Sequence, residues 1–215
     1  MTAQLGAHEA MEVHEVLTCG INTINQYQLL RPHVKDQQLA QILDKQLSFI
    51  TQEYNGLVQA AQTQGMGTGS SYQSPQNFQP TYGLDNPQTQ SPSPNSNQLS
   101  DQAVASIILG LHKSGAVCKM MACLECAEPN LRRLIQQSAA NCAEQAYEIW
   151  QYMNQKGYYQ VPTMKQMTTN TFINAYGTAG MKQGMQGMET MQGTGNVQQN
   201  MAMGKQGMTN QNYQM

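Results

Sequence analysis

The stretch SDQAVASIILGLHKSGAVCKMMACLECAEPNLRRLIQQSAANCAEQAYEIWQYMNQKG, Ser100 to Gly157, decides the fold. Ser100 is a good helix N-cap, Asp101 favours the positive end of a helix, and Leu99 with Val104 can close a hydrophobic staple. From there Val104, Ile108, Leu111, Gly115, Cys118 and Ala122 recur at three- and four-residue steps, which places them on one stripe of a helix. Pro129 interrupts the pattern. It resumes through Leu131, Ile135, Ala139, Cys142, Ala146, Ile149 and Met153, and stops at Gly157. The small residues Gly115, Ala122, Ala139 and Ala146 allow the two helices to approach closely. This is a helical hairpin.

An equivalent hairpin lies upstream. Val13, Val16, Leu17, Ile21, Ile24 and Tyr27 form one stripe, and Pro32 stops it. Asp36 then caps a second helix whose stripe is Leu39, Leu43, Leu47, Ile50, Tyr54, Leu57 and Ala61, ended by Gly65 and Gly67. Each helix is about 36 to 42 Å long at 1.5 Å per residue. A lone hairpin exposes its whole apolar stripe, so the two pack together, and the expected fold is an all-α, ferritin-like four-helix bundle. The joining segment 64–98 is far longer than the roughly 2 to 8 residues usual between antiparallel helices. It can return along the bundle as a long crossover, giving up-down-down-up order, or hang as a loose loop. The expected organisation is a first hairpin over 1–63, a disordered Gly/Ser/Pro/Gln linker over 64–98, a second hairpin over 99–160, and a disordered Met/Gln/Gly-rich tail over 161–215.

Composition narrows the function. The chain has 215 residues, 11 basic and 13 acidic side chains, and a formal net charge of −2. Only 11% of residues are charged, against about 25% in an ordinary soluble domain. Without a basic surplus there is nothing to neutralise phosphates, so nucleic acid is not an expected partner. No uninterrupted apolar run of about 20 residues suggests a membrane span, and the N-terminus lacks the basic-then-apolar order of a signal peptide. Five cysteines, an odd number, read as reduced thiols.

Three strings are more specific. Leu5 to Asn55, containing RPHVKD at 31–36, resembles the opening of the spore coat F family of endospore-forming bacteria, as does Leu99 to Gln137. Tyr152, Met153, Lys156, Gly157, Tyr158 and Tyr159 match that family's YM..KGYY ending. The resemblance implies a structural protein of the spore coat, made in the mother-cell cytoplasm and deposited on the spore. Expected partners are other spore coat proteins, with self-association into a homo-oligomer allowed.

A ferritin-like bundle invites the question of a metal-dependent oxidase or peroxide-removing enzyme. That chemistry needs inward Glu residues and a Glu-x-x-His on each of two helices. The chain offers His8, Glu12 and Glu15 on the first helix, Glu53 on the second, Glu125 on the third, and Glu144 and Glu148 on the fourth, with no Glu-x-x-His. No catalytic residue and no cofactor are therefore expected, and an enzyme is not the favoured reading. Iron or manganese at Glu15, Glu53 and Glu125 is the alternative. A second alternative places copper, or an oxidant sink, on the tail methionines Met185, Met188 and Met191, with Met164, Met167, Met201 and Met203 nearby. Cys118 and Cys142 stand at similar heights on facing stripes, as core neighbours or as an oxidisable pair. Cys123 and Cys126 form a CxxC without a second one, which argues against zinc. Lys182 and Lys205 among glutamines, and Tyr72, Tyr82, Tyr176 and Tyr213, suit covalent cross-linking of the amide-rich arms.

Overall fold

The computed structural model describes residues 5–63 and 99–179 throughout and, between them, 67, 69–85, 87, 91–92, 94–95 and 97. Helices α1 (Ala7–Leu30), α2 (Gln37–Gln62), α3 (Asp101–Glu125) and α4 (Pro129–Gln155) form one compact unit ending at Thr163. A short helix, α5 (Gln166–Asn174), belongs to a second unit. The tail methionines Met185, Met188, Met191, Met201 and Met203, and Lys182, Lys205 and Tyr213, lie outside the described residues.

The expected punctuation sets the helix ends. Asp36 Oδ1 accepts the backbone N–H of Gln38 and Leu39 at 2.9 and 3.1 Å, and Ser100 Oγ accepts that of Ala103 at 3.1 Å. Pro32 sits in a 3-10 turn at Arg31–His33, and Pro129 opens α4, where its missing N–H costs nothing. Glu128 caps that helix through Leu131 N. Gly157 closes α4 with a φ of +74°, a left-handed conformation that a side chain resists.

Hydrogen bonds between the helices fix their directions. Glu9 reaches Glu128, Tyr27 reaches His112, and the backbone of Lys35 reaches Asp101, so α1 and α3 run antiparallel. Gln38 meets Gln155, Gln46 meets Glu148 and Glu53 meets Asn141, so α2 and α4 are antiparallel too. The order is therefore up-down-down-up, with α1 beside α2 and α3, and α4 beside the same two. One apolar cluster, including Leu39, Leu43, Val104, Ile108, Ile149 and Tyr152, fills one half of the bundle. Another, including Val13, Val16, Leu57, Ala122, Leu131 and Ile135, fills the other.

Because α2 and α3 run in the same direction, the connection between them has to travel the length of the bundle. It does so along α4 over the described residues 69–85. Tyr72 N donates to Asn141 Oδ1 at 2.9 Å, Ser74 Oγ to Glu144 Oε2 at 2.5 Å and Gln151 Nε2 to Pro75 O at 2.8 Å. Thr81 N donates to Asn154 Oδ1 at 2.8 Å, and Gly83 N to Val161 O at 2.8 Å. Phe78 meets the Trp150 ring edge-on. A polar, Pro-containing segment gains order here because α4 supplies side-chain partners for its backbone. Within 161–215, the described residues include the short helix Gln166–Asn174.

Two details of the apolar pattern differ from expectation. Ile21, assigned to the core stripe, is 44% exposed. In turn α3 is long and apolar enough to cross a membrane by length and composition alone, a property shared by core helices of soluble proteins. Its inner face is taken up by the bundle, while Val117, Met121 and Leu124 remain exposed.

Replacing Gly157 by Ala forces a β-carbon into the left-handed region. The Gly157→Ala chain is expected to lose about 1 kcal/mol of stability, read as a lower urea midpoint at unchanged slope.

Candidate functional site

The bundle interior carries a line of polar groups that the apolar stripes conceal. On α4, Asn141, Glu144, Glu148, Gln151 and Asn154 follow one another at three- and four-residue steps and so share a face. Glu148 is the centre. Its side chain is 6% exposed. Lys45 Nζ donates to its Oε1 at 2.8 Å and Gln46 Nε2 to its Oε2 at 2.9 Å. The Tyr72 hydroxyl donates to the same Oε2. The ammonium of Lys45 also lies 4.6 Å from the Tyr72 ring centroid, which Phe49 meets edge-on.

From Gln46 the network crosses to the other two helices. Tyr27 Oη donates to Gln46 Oε1 at 2.5 Å, and His112 Nε2 stands 2.5 Å from the Tyr27 oxygen. With the Tyr27 proton directed at Gln46, His112 Nε2–H donates to Tyr27, the assignment that gives every atom a complementary partner. His112 is 1% exposed. Burial, reinforced by the charge of Lys119, lowers its pKa to about 3, so the ring is neutral. Burial also pushes the Tyr27 and Tyr72 phenols well above their ordinary value, with Tyr72 and Glu148 respectively as the next contributors.

A second buried group spans the bundle diagonal. Lys119 Nζ on α3 lies 3.1 Å from Glu53 Oε2 on α2, with side chains 7% and 9% exposed. Asn141 Nδ2 donates to Glu53 Oε1 at 2.6 Å and to Ser70 O at 2.8 Å, so the same amide also holds the crossover. Burial opposes the Lys119 charge, but Cys142 and Glu53 outweigh it and hold the amine above its ordinary value.

The three carboxylates proposed for a metal do not meet. Glu53 lies in the interior ion pair, whereas Glu15 and Glu125 are exposed on α1 and at the end of α3. Of the acids near the first helix start, the buried one is Glu9, which accepts Gly6 N at 3.1 Å and Glu128 N at 2.7 Å; His8 is exposed. Glu144 serves Ser74, and Glu148 serves Lys45, Gln46 and Tyr72. Among the described residues no three His, Cys, Asp or Glu side chains converge as metal ligands. The interior donor set does not fit a di-iron or di-manganese centre: each inward carboxylate already has an ammonium or amide partner, and Gln46, Asn141 and Gln145 are neutral amides. The interior instead suits rigid positioning of four helices and a crossover.

Cys142 faces Gly115 and Lys119 on α3, and Cys19 on α1 lies near both Cys118 and Cys142. Cys123 and Cys126 are buried, donate to Met120 O and Ala122 O, and do not open to solvent. Burial first, then Glu9, pushes the Cys126 thiol up to about 11.

The bundle ends explain the unusual sequence strings. Lys156 of YM..KGYY reaches Asp36 of RPHVKD at 2.7 Å, and Asp36 at the same time caps α2. Arg31 pairs with Asp44 through two bonds of 2.7 and 2.9 Å, and Lys35 N donates to Asp101 at 2.8 Å. Tyr158 and Tyr159 N–H groups both return to Met153 O. The two strings thus close one end of the bundle together.

Comparison with known proteins agrees with that architecture. The family model for the Coat F domain matches residues 100–162, from the cap of α3 to the strand-like return after α4. The chain is 32% identical over 190 residues to the spore coat protein F-like protein YhcQ of Bacillus subtilis (strain 168), covering 86% of this chain and 88% of that protein. A crystal structure of a candidate spore coat protein from Bacillus halodurans C-125 superposes with a TM-score of 0.56, covering 76% of this chain and 97% of that one at 14% identity. At that identity the likeness concerns the fold.

Two measurements test the interior. Lys119→Met alone strands the Glu53 charge and is expected to cost about 3 to 5 kcal/mol, whereas Lys119→Met with Glu53→Gln recovers most of it in denaturant titrations. His112 contributes stability that is complete above its unfolded pKa of 6.5 and is lost as pH falls towards about 3. Over that window the unfolded chain takes up a proton that the native ring refuses, worth up to about 1.4 kcal/mol per pH unit. Unfolding free energy is expected to fall across it, and His112→Gln to flatten that limb.

Proposed function

The chain belongs to the spore coat protein F-like family, and from that premise we propose that it is a structural component of the bacterial spore coat. In this reading it is made in the mother-cell cytoplasm, its bundle docks to other coat proteins, and its amide-rich arms are cross-linked within the coat. The observation that carries the proposal is 32% identity to a coat F-like protein across 86% of the chain. What favours a structural over a catalytic role is the commitment of each interior carboxylate to a lysine or amide partner. Exposed apolar side chains on α3, Val117, Met121 and Leu124, support docking to another protein surface.

The low charge fits dense packing of neighbouring chains, since only 11% of residues carry charges that would repel or attract long-range partners. Among the tyrosines considered for coupling, Tyr82 and Tyr176 are 64% and 84% exposed. Tyr72 leaves that set because it is buried against Glu148.

A fluorescent fusion expressed from the native promoter tests this reading. The expected result is no signal in growing cells, signal in the mother cell during sporulation, and a ring around the maturing spore. Uniform fluorescence in growing cells overturns it.

A further inference from the structure

Cys19 and Cys118 occupy the seam between α1 and α3, and three observations put them together. The antiparallel register of these helices is pinned at Glu9 with Glu128 and at Tyr27 with His112. Cys19 and Cys118 stand at equal height between those two pairs, ten residues inward from Glu9 and from Glu128 respectively. Cys19 is the neighbouring side chain with the largest influence on the Cys118 thiol, and both residues are partly exposed, unlike the buried Cys123, Cys126 and Cys142. Cys118 also lines a shallow groove on this face with Glu12, Glu15, Lys113, Val117 and Met121, through which a small solute reaches the sulfur.

We propose that Cys19 and Cys118 form an intramolecular disulfide when the protein meets a peroxide, a covalent tie between the two hairpins. One thiolate attacks a peroxide oxygen, giving a sulfenic acid and releasing water. The second thiolate attacks that sulfur, the S–S bond forms, and the hydroxyl leaves as a second water. Two thiols and one hydrogen peroxide thus become one disulfide and two waters, with the sulfurs oxidised and the peroxide reduced.

The location gives the bond a consequence. The crossover runs along α4, and ion pairs join α2 to α4 and to α3. The α1–α3 seam lies away from that route, so a bond there ties the hairpins on their other side. It also closes a loop holding the end of α1, all of α2, the crossover and most of α3, and long loops gain most from closure. Burial, then Cys19 and the nearby Glu12, hold the Cys118 thiol above its ordinary value, which lowers its thiolate fraction.

The test uses the purified full chain treated with a small molar excess of hydrogen peroxide, alkylated, unfolded and digested with trypsin. Cleavage after Lys35, Lys113 and Lys119 isolates Cys19 in residues 1–35 and Cys118 in 114–119, with Cys142 in 134–156. The expected product is a single chain lighter by two hydrogens in which 1–35 is linked to 114–119. Its thermal midpoint is expected to lie about 10 °C above the reduced chain. Cys19→Ser is expected to abolish both the linkage and the rise, while Cys142→Ser keeps them; if either variant fails to fold, the map of the unaltered chain decides. Linkage of 114–119 to 134–156 or to a second chain overturns the proposal. So does full alkylation of Cys19 and Cys118 after exposure sufficient to oxidise the exposed methionines.

Discussion

A single carboxylate inside the bundle organises the structure around it. Glu148 is buried, and its two oxygens are taken by an ammonium from Lys45, an amide from Gln46 and a phenol from Tyr72. Removing an ion from water costs several kcal/mol, so each donor must be in place when the core closes. Lys45 and Gln46 fix α2 against α4, and Tyr72 fixes the crossover. Tyr27 and His112, reached through Gln46, bring in α1 and α3. One charge therefore specifies the register of every long element in the unit. Apolar stripes alone tolerate sliding by a turn; a hydrogen-bonded ion does not.

The same pairing occupies the interior carboxylates that a di-metal centre would use. Where a di-metal protein would present free carboxylates to an ion, Glu53 faces Lys119 and Glu148 faces Lys45. Lysine and amide donors neutralise the acids from within the chain, and the cation needed for the fold is part of the fold. At the bundle end the pattern repeats on the surface. Asp36 caps α2 and pairs with Lys156, so the two strings that carry the family resemblance are joined by one side chain.

Much of the fold was legible because local signals mark it. Ser100, Asp36, Pro32, Pro129 and Gly157 act on their own backbone, and the helix ends fall where they stand. The polar face of α4 was legible in principle, since Asn141, Glu144, Glu148, Gln151 and Asn154 keep helical spacing. Spacing alone does not mark that face as interior, because carboxylates in a bundle suggest ligands and amides suggest solvent. The crossover was the harder case. Its composition lacks the apolar residues that ordinarily order a segment, and its order comes from partners seventy or so residues away in sequence, such as Tyr72 with Asn141. Ile21 failed for a geometric reason: α1 meets helices on only part of its circumference, and spacing cannot say which part.

The amino-acid sequence by itself determined the four helices, their caps and bends, the two hairpins and the family. Each of these depends on residues within a few positions of one another, where backbone propensity and capping act directly. Tertiary structure alone decided the rest. The assembly placed the crossover on α4 and gave Glu53 and Glu148 lysine partners. Such choices depend on which faces meet across the bundle, and a side chain's partner there is set by three-dimensional register, to which spacing along one helix is blind.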